Sequence, residues 1–293
     1  MRGECVNKEC DRRANVFSMW IGSAPPAFVY DAVRSFCVTG GASVTLYVDP
    51  QLSLDATEAE KLRVLGCALT DYRDVHVDEA VEKQVRSYKG KYGALPLYSD
   101  AFRYTHFARI GGSMWCDADS YCLKRLSALP QYFVASEPSR HAWPFRMHGL
   151  LDEHEFYSRS GADDLRSWYA MAAGITRTVT NSHLKLDEEL SRQALNDLCA
   201  LRLVQGDSGM TVLRKLTDDR DLKALILPPC VFNPIASWDL HTFRKALSGE
   251  PCPAIENATC LHVFSRVRQA LPEGWSFRHM NPTPTKICSN YQK

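Results

Sequence analysis

Two hydrophobic periods alternate along the first half of this chain. Residues 16–21 form an apolar-rich run ended by Gly22, Pro25 and Pro26, which predicts a first strand. Ala27–Val38 follows with a helical pattern stopped by Gly40 and Gly41. Ser43–Val48 puts Val44, Leu46 and Val48 on one face, a strand closed by Asp49 and Pro50. Residues 58–65 predict a short helix and 74–77 a strand. Residues 83–93 are basic and contain glycine, which predicts an exposed loop. Ser99 fits the N-cap of a helix reaching Ile110, and 133–136 predict a further strand. From about 141 to 204 the pattern is mainly helical. There Leu186, Leu190, Ala194, Leu198 and Leu201 form an apolar stripe suited to packing.

Strands alternating with helices predict an α/β fold, a mostly parallel doubly wound sheet with helices on both faces. No repeat, low-complexity stretch or linker interrupts the chain, so one domain over 1–293 is expected, with 141–204 as a helical insertion.

Composition narrows the classes. The 293 residues are 45% hydrophobic and 24% charged with a net charge of +1, ordinary for a folded soluble chain. That balance argues against a protein that coats nucleic acid or an anionic membrane. The first residues, MRGECVNKECDRRANVF, contain no apolar core of a signal peptide, and no run of 18 apolar residues occurs. A cytoplasmic protein without a signal or membrane span is the expectation. Eleven scattered cysteines suit reduced thiols in that compartment. Cys5 and Cys10 with Cys252 or Cys260 offer a weak zinc reading, and Asn257 starts a glycosylation sequon expected to be idle.

The candidate chemistry centres on Asp117 and Asp119. On a strand, residues two apart share a face, so both carboxylates could meet one hard cation such as Mn²⁺ or Mg²⁺. The plain alternative is a solvated strand end. Upstream, Asp100, Arg103 and Tyr104 fall at i, i+3 and i+4 on one helix face, either a polar clamp or an ordinary surface ion pair.

The order Ser99-Asp100, Arg103-Tyr104, Gly111-Gly112, Trp115, Asp117, Asp119, Cys122-Leu123-Lys124 resembles the DXD sugar-binding glycosyltransferases of glycosyltransferase family 32. That group includes capsular-polysaccharide sugar transferases and, more distantly, the clostridial glucosylating toxins. Trp20-Ile21-Gly22 resembles the family's WIG, the stretch from Leu227 to Ile235 its lppxxFxPi, and the stretch from Cys260 to Phe264 its avHlw. One departure stands out. Four residues, not the usual three, separate the glycine pair from Asp117, and a one-residue bulge before the motif is the expected accommodation.

The resemblance implies a GT-A-like fold and a metal-dependent, retaining glycosyltransferase, with hexosyl transfer from a nucleotide-diphosphate donor, UDP-sugar foremost. Asp119, Asp117 and His262 would hold Mn²⁺ or Mg²⁺. Trp20, Ile21, Gly22, Asp100, Arg103, Tyr104 and Asp117 would bind the donor, with Asp117, Asp119 and Arg103 nearest the chemistry. Trp20 and His262 also fit the plainer role of core residues. Glu137 is a candidate donor-face carboxylate, Lys89 and Lys91 candidate phosphate contacts, and 206–209 a turn near the ligand. The region 141–204 would shape the acceptor side. The acceptor is open among a glycan, a protein side chain and a modified nucleic-acid base, the only place nucleic acid would enter. Two other functions compete: a metal-dependent phosphodiesterase or nuclease, for which Asp152, Glu153, His154 and Glu155 are the dense candidate cluster, and a nucleotide-sugar-binding protein without transfer activity.

Overall fold

The computed structural model describes residues 13–52, 54–79, 81–83, 94–138, 177–200, 212, 213, 216, 226–278 and 280. Its strands are β1 (Asn15–Trp20), β2 (Ser43–Val48), β3 (Ala68–Asp71), β4 (Met114–Cys116), β5 (Ser120–Cys122), β6 (Phe133–Pro138), β7 (Arg177–Lys185), β8 (Ile226–Leu227) and β9 (Cys260–His262). Its helices are α1 (Ala27–Val38), α2 (Ala56–Val64), α3 (Ala94–Arg109), α4 (Glu188–Ala200), α5 (Pro229–Phe232), α6 (Leu240–Ser248), α7 (Pro253–Glu256) and α8 (Ser265–Ala270).

Seven strands form one mixed, mostly parallel sheet in the order β3-β2-β1-β4-β7-β6-β8; β5 and β9 form a second, antiparallel pair. β3, β2, β1 and β4 run parallel. β7 runs against both neighbours, β4 and β6, and β8 is parallel to β6. The architecture is α/β, as the alternating pattern predicts.

The period of two sorts the side chains into two cores. Val16, Val44, Leu46, Val48, Met114 and Cys116 join one cluster with α1 and the carboxyl-terminal elements. Phe17, Met19, Tyr47 and Trp115 point the other way into a second cluster with α3 and α4. Helices thus cover both faces. The predicted stripe is in that second core, where Leu186, Leu190, Ala194 and Leu198 are buried against Leu97, Ala101 and Phe102. A buried leucine contributes about 1.5–3 kcal/mol.

Several expectations change. Residues 74–77 are not a strand: β3 lies earlier, and Tyr72–Val75 is a 3-10 turn capped by the Asp71 side chain. Ser99 is no N-cap, because α3 begins at Ala94; its hydroxyl instead meets Arg103 NH2 at 2.9 Å. No bulge precedes Asp117. β4 pairs in register with β1 and β7, and the turn before it takes the extra residue, with Gly111 and Gly112 both at positive φ (62° and 65°). The register shift of the sheet falls between Val134 and Ala135. Within 141–204, the described residues 177–200 hold β7, a nine-residue strand inside the large sheet that the helical reading did not anticipate, followed by α4. Residues 141–176 and 201–204 lie outside the described residues, as do Cys5, Cys10, Lys89, Lys91, Asp152–Glu155, 206–209 and most of the predicted basic loop.

Candidate functional site

Asp117 and Asp119 sit on the tight turn that leaves β4, not on a strand. The Asp117 amide donates to the Ser182 carbonyl of β7 at 3.0 Å, and the Ser120 amide closes the turn on the Asp117 carbonyl at 3.0 Å. The Val263 amide holds the Asp119 carbonyl at 2.9 Å. The chain then enters β5, where Ser120 lies opposite His262 of β9. One turn therefore delivers both carboxylates to the end of a parallel strand, and a remote strand brings the imidazole.

Ligand atoms of Asp117, Asp119 and His262 all lie within 4.8 Å of one another. His262 Nε2 is 3.3 Å from Asp119 Oδ1 and 3.6 Å from Asp117 Oδ2. Two carboxylates and an imidazole converging on one point suit a divalent cation such as Mn²⁺.

The charges are already balanced within the protein. Arg268 of α8 lies 2.9 Å from Asp119 Oδ2. Burial pushes the Asp119 carboxyl upward, but the charge and hydrogen bond of His262, with Arg268, outweigh it and hold the group below its ordinary range. Burial likewise pulls His262 down, and Asp119, Asp117 and Glu137 more than reverse this, so its pKa is raised. A ligating imidazole nitrogen must be deprotonated, so protonation of His262 and binding of a cation here would compete.

Around Asp117 stands the expected clamp. Trp115 Nε1–H donates to Asp117 Oδ1 at 2.7 Å. Arg103 NH2 is 3.6 Å from Asp117 and 3.4 Å from Asp100, and its guanidinium lies 4.5 Å over the Trp115 ring. Arg103 and Asp100 are buried, so this is no surface ion pair. Tyr104 is fully buried in the second core, where burial, with the nearby Asp100 charge, pushes its phenol well up against the pull of Arg103.

Trp20 ends β1 half-buried. Its ring meets Phe28 edge-on at 5.6 Å, its Nε1–H donates to the Ser23 carbonyl, and the Arg268 guanidinium lies 5.8 Å from it. Arg268 thus spans from Asp119 to Trp20. Ile21 packs partly against the second core, and Gly22 is an exposed turn residue at φ 90°. Glu137 ends β6 within reach of the same charges: burial, reinforced by Asp117, raises its pKa to about 6, against the pull of His262.

Three residues here carry no sequence signal of their own. Arg268 sits in an unremarkable helix. Asn233 donates to the Ser136 carbonyl and meets His262 Nδ1 through its amide oxygen. His183 of β7 is fully buried, 2.7 Å from the Ser120 hydroxyl, and stacks on Phe232. Among the described residues, no helix is long and apolar enough to cross a membrane.

Solved structures similar to the chain include two glycosyltransferases. PaToxG glycosyltransferase shares 11% identity over 72% of this chain and 70% of that one, with a TM-score of 0.42. The apo structure of the WbbM bifunctional glycosyltransferase shares 12% identity over 88% of this chain and 46% of that one, also at 0.42, so the chain spans about half of that protein's length. No protein-family profile and no curated protein matches the chain.

Proposed function

We propose that the chain is a single-domain, metal-dependent glycosyltransferase of GT-A type that moves a hexosyl group from a nucleotide diphosphate, most favourably UDP, to an acceptor with anomeric retention. One observation carries the reading: Asp117, Asp119 and His262 meet at the carboxyl end of a parallel strand, on residues whose order matches the DXD motif. Open α/β sheets bind ligands at that edge.

The bond from the anomeric carbon to the diphosphate oxygen breaks, one from that carbon to the acceptor atom forms, and the proton that atom gives up passes to the departing diphosphate. A cation held by Asp117, Asp119 and His262 would act as a Lewis acid on the departing diphosphate. Arg103, pinned by Ser99 and Asp100, holds the Asp117 carboxylate and presents fixed positive charge to the donor sugar side. Arg268 offers a guanidinium between Asp119 and Trp20, where a phosphate would lie if a uracil ring used Trp20. Such preorganised charge, largely shut off from water, supplies much of the rate of transfer reactions. The alternative is a metal-dependent phosphodiesterase or nuclease, whose candidate cluster Asp152–Glu155 lies outside the described residues.

Thermal shift with UDP, GDP and ADP, each with and without Mn²⁺, tests the proposal. UDP with Mn²⁺ should stabilise the fold by about 2.7 kcal/mol at 100 times its dissociation constant, and UDP-sugar turnover should need the metal. A fold that no nucleotide stabilises under either condition would rule the reading out.

A further inference from the structure

Asn233 follows α5 and is fully buried beneath His262. Its Nδ2 lies 2.9 Å from the Ser136 carbonyl and its Oδ1 3.1 Å from His262 Nδ1. A carbonyl oxygen only accepts, so the amide nitrogen must face Ser136. The amide oxygen then faces the imidazole. It too only accepts, so His262 Nδ1 must carry the hydrogen. Ser136 cannot shift to relax this, because its own hydroxyl donates to the Leu227 carbonyl at 2.7 Å and it sits within β6. Phe264 and His183 also pack against the imidazole, at 4.3 Å and 5.3 Å between ring centroids. With Nδ1 protonated, the lone pair of the neutral ring is on Nε2, the nitrogen facing Asp119 and Asp117.

We propose that Asn233 is a positioning residue that locks His262 in the Nδ1–H tautomer and so makes Nε2 a nitrogen ligand for a divalent cation shared with Asp117 and Asp119. The ligand role rests on the metal site proposed above; the tautomer rests on the hydrogen-bond chain from Leu227 through Ser136 and Asn233 alone. Partners that orient a ligating histidine through its second nitrogen commonly change metal affinity by about 10- to 100-fold when removed.

The test is Mn²⁺ binding, followed by loss of the free-ion electron paramagnetic resonance signal, in Asn233→Leu and Asn233→Asp, each alone and combined with His262→Ala. Asn233→Leu keeps the shape and removes the acceptor, and should weaken binding about 10- to 100-fold. Asn233→Asp keeps an acceptor toward Nδ1 while losing the donor to Ser136, and should lose less Mn²⁺ affinity than Asn233→Leu. In the His262→Ala background, Asn233→Leu should cause no further loss. Unchanged affinity in Asn233→Leu, or an equal loss with and without His262, would overturn the proposal, the second by making Asn233 a general structural residue. Long-range proton–nitrogen spectra of the unaltered protein at alkaline pH read the tautomer directly, whether or not any variant folds. A hydrogen on Nε2 would overturn it. If the unaltered protein binds no Mn²⁺, the metal reading and the ligand role fall together, while these spectra still decide the tautomer.

Discussion

Asp117 and Asp119 share one turn yet belong to different environments. Asp117 is held by α3 and β4, through Arg103 and Trp115, and its side chain remains 27% exposed. Asp119 is held by β9 and α8, through His262 and Arg268, with only 9% exposure. The first environment keeps a carboxylate open toward solvent on a rigid polar clamp. The second buries a carboxylate inside a compensated charge cluster. A two-residue motif can thus divide its work, one carboxylate left partly open and the other tied into the fold.

That contrast is broken or upheld most strongly by stability. Removing one partner of a buried ion pair costs about 3–5 kcal/mol, because the other charges are stranded. Asp119→Ala should lose that much in urea unfolding with chelator present, along with Mn²⁺ binding. Asp117→Ala gives up the Trp115 hydrogen bond and two longer, partly exposed ion pairs with Arg103 and His262, and should lose about 1–2 kcal/mol. Equal losses would mean that both carboxylates are structural. Asp119→Asn is the better probe of metal binding, since it keeps the shape.

Histidines sharpen the comparison next. On the α3 side, His106 is buried, stacks on Phe17 at 3.5 Å, and leaves Nδ1 without a hydrogen-bond partner. Burial lowers its pKa to about 4. Its folded pKa is below the unfolded value of 6.5, so stability is full above 6.5 and declines as pH falls toward 4. The loss reaches roughly 3 kcal/mol. His262 has the opposite sign: its folded pKa is raised, so its contribution is full below 6.5 and fades as pH rises through the folded value. Replacing His106 with Gln should flatten the acid side of a stability–pH curve. An unchanged slope there would remove the electrostatic difference between the two sides.

The smallest effect concerns Trp20, which Arg268 links to the Asp119 side. Stacking a base on an aromatic contributes about 1–3 kcal/mol. Trp20→Ala should therefore weaken UDP binding by roughly one to two decades, measured by calorimetry. Unaltered affinity with a lowered melting temperature would make Trp20 a core residue.

What the sequence disclosed follows the same division. β1, α1, β2, α3 and the clamp are legible because their apolar periods are regular and Asp100, Arg103 and Asp117 lie within one short stretch. β7 was hidden. Its segment, RTVTNSHLK, places Thr180, Ser182 and His183 in the buried middle of a sheet. These polar residues satisfy one another or Ser120 by hydrogen bonds, so no apolar alternation announces a strand. β5 and β9 have three residues each, too few for any period. Their pairing is what brings His262 to the carboxylates. His262 was nameable only through the motif resemblance. Asn233 lay inside a quoted motif, but its task depends on Ser136, nearly a hundred residues away.

The pairing of β6 with β7 has a consequence for how such a molecule can be taken apart. Pro138 and Arg177 are direct partners in that ladder, so the intervening segment departs and returns at a single point of the scaffold. Among the described residues, the partners that fix Asp117, Asp119 and His262, namely Arg103, Trp115, Asn233 and Arg268, all lie outside that pair in sequence. The junction is accordingly the place to cut and rejoin the chain when asking whether the scaffold alone holds the carboxylate turn.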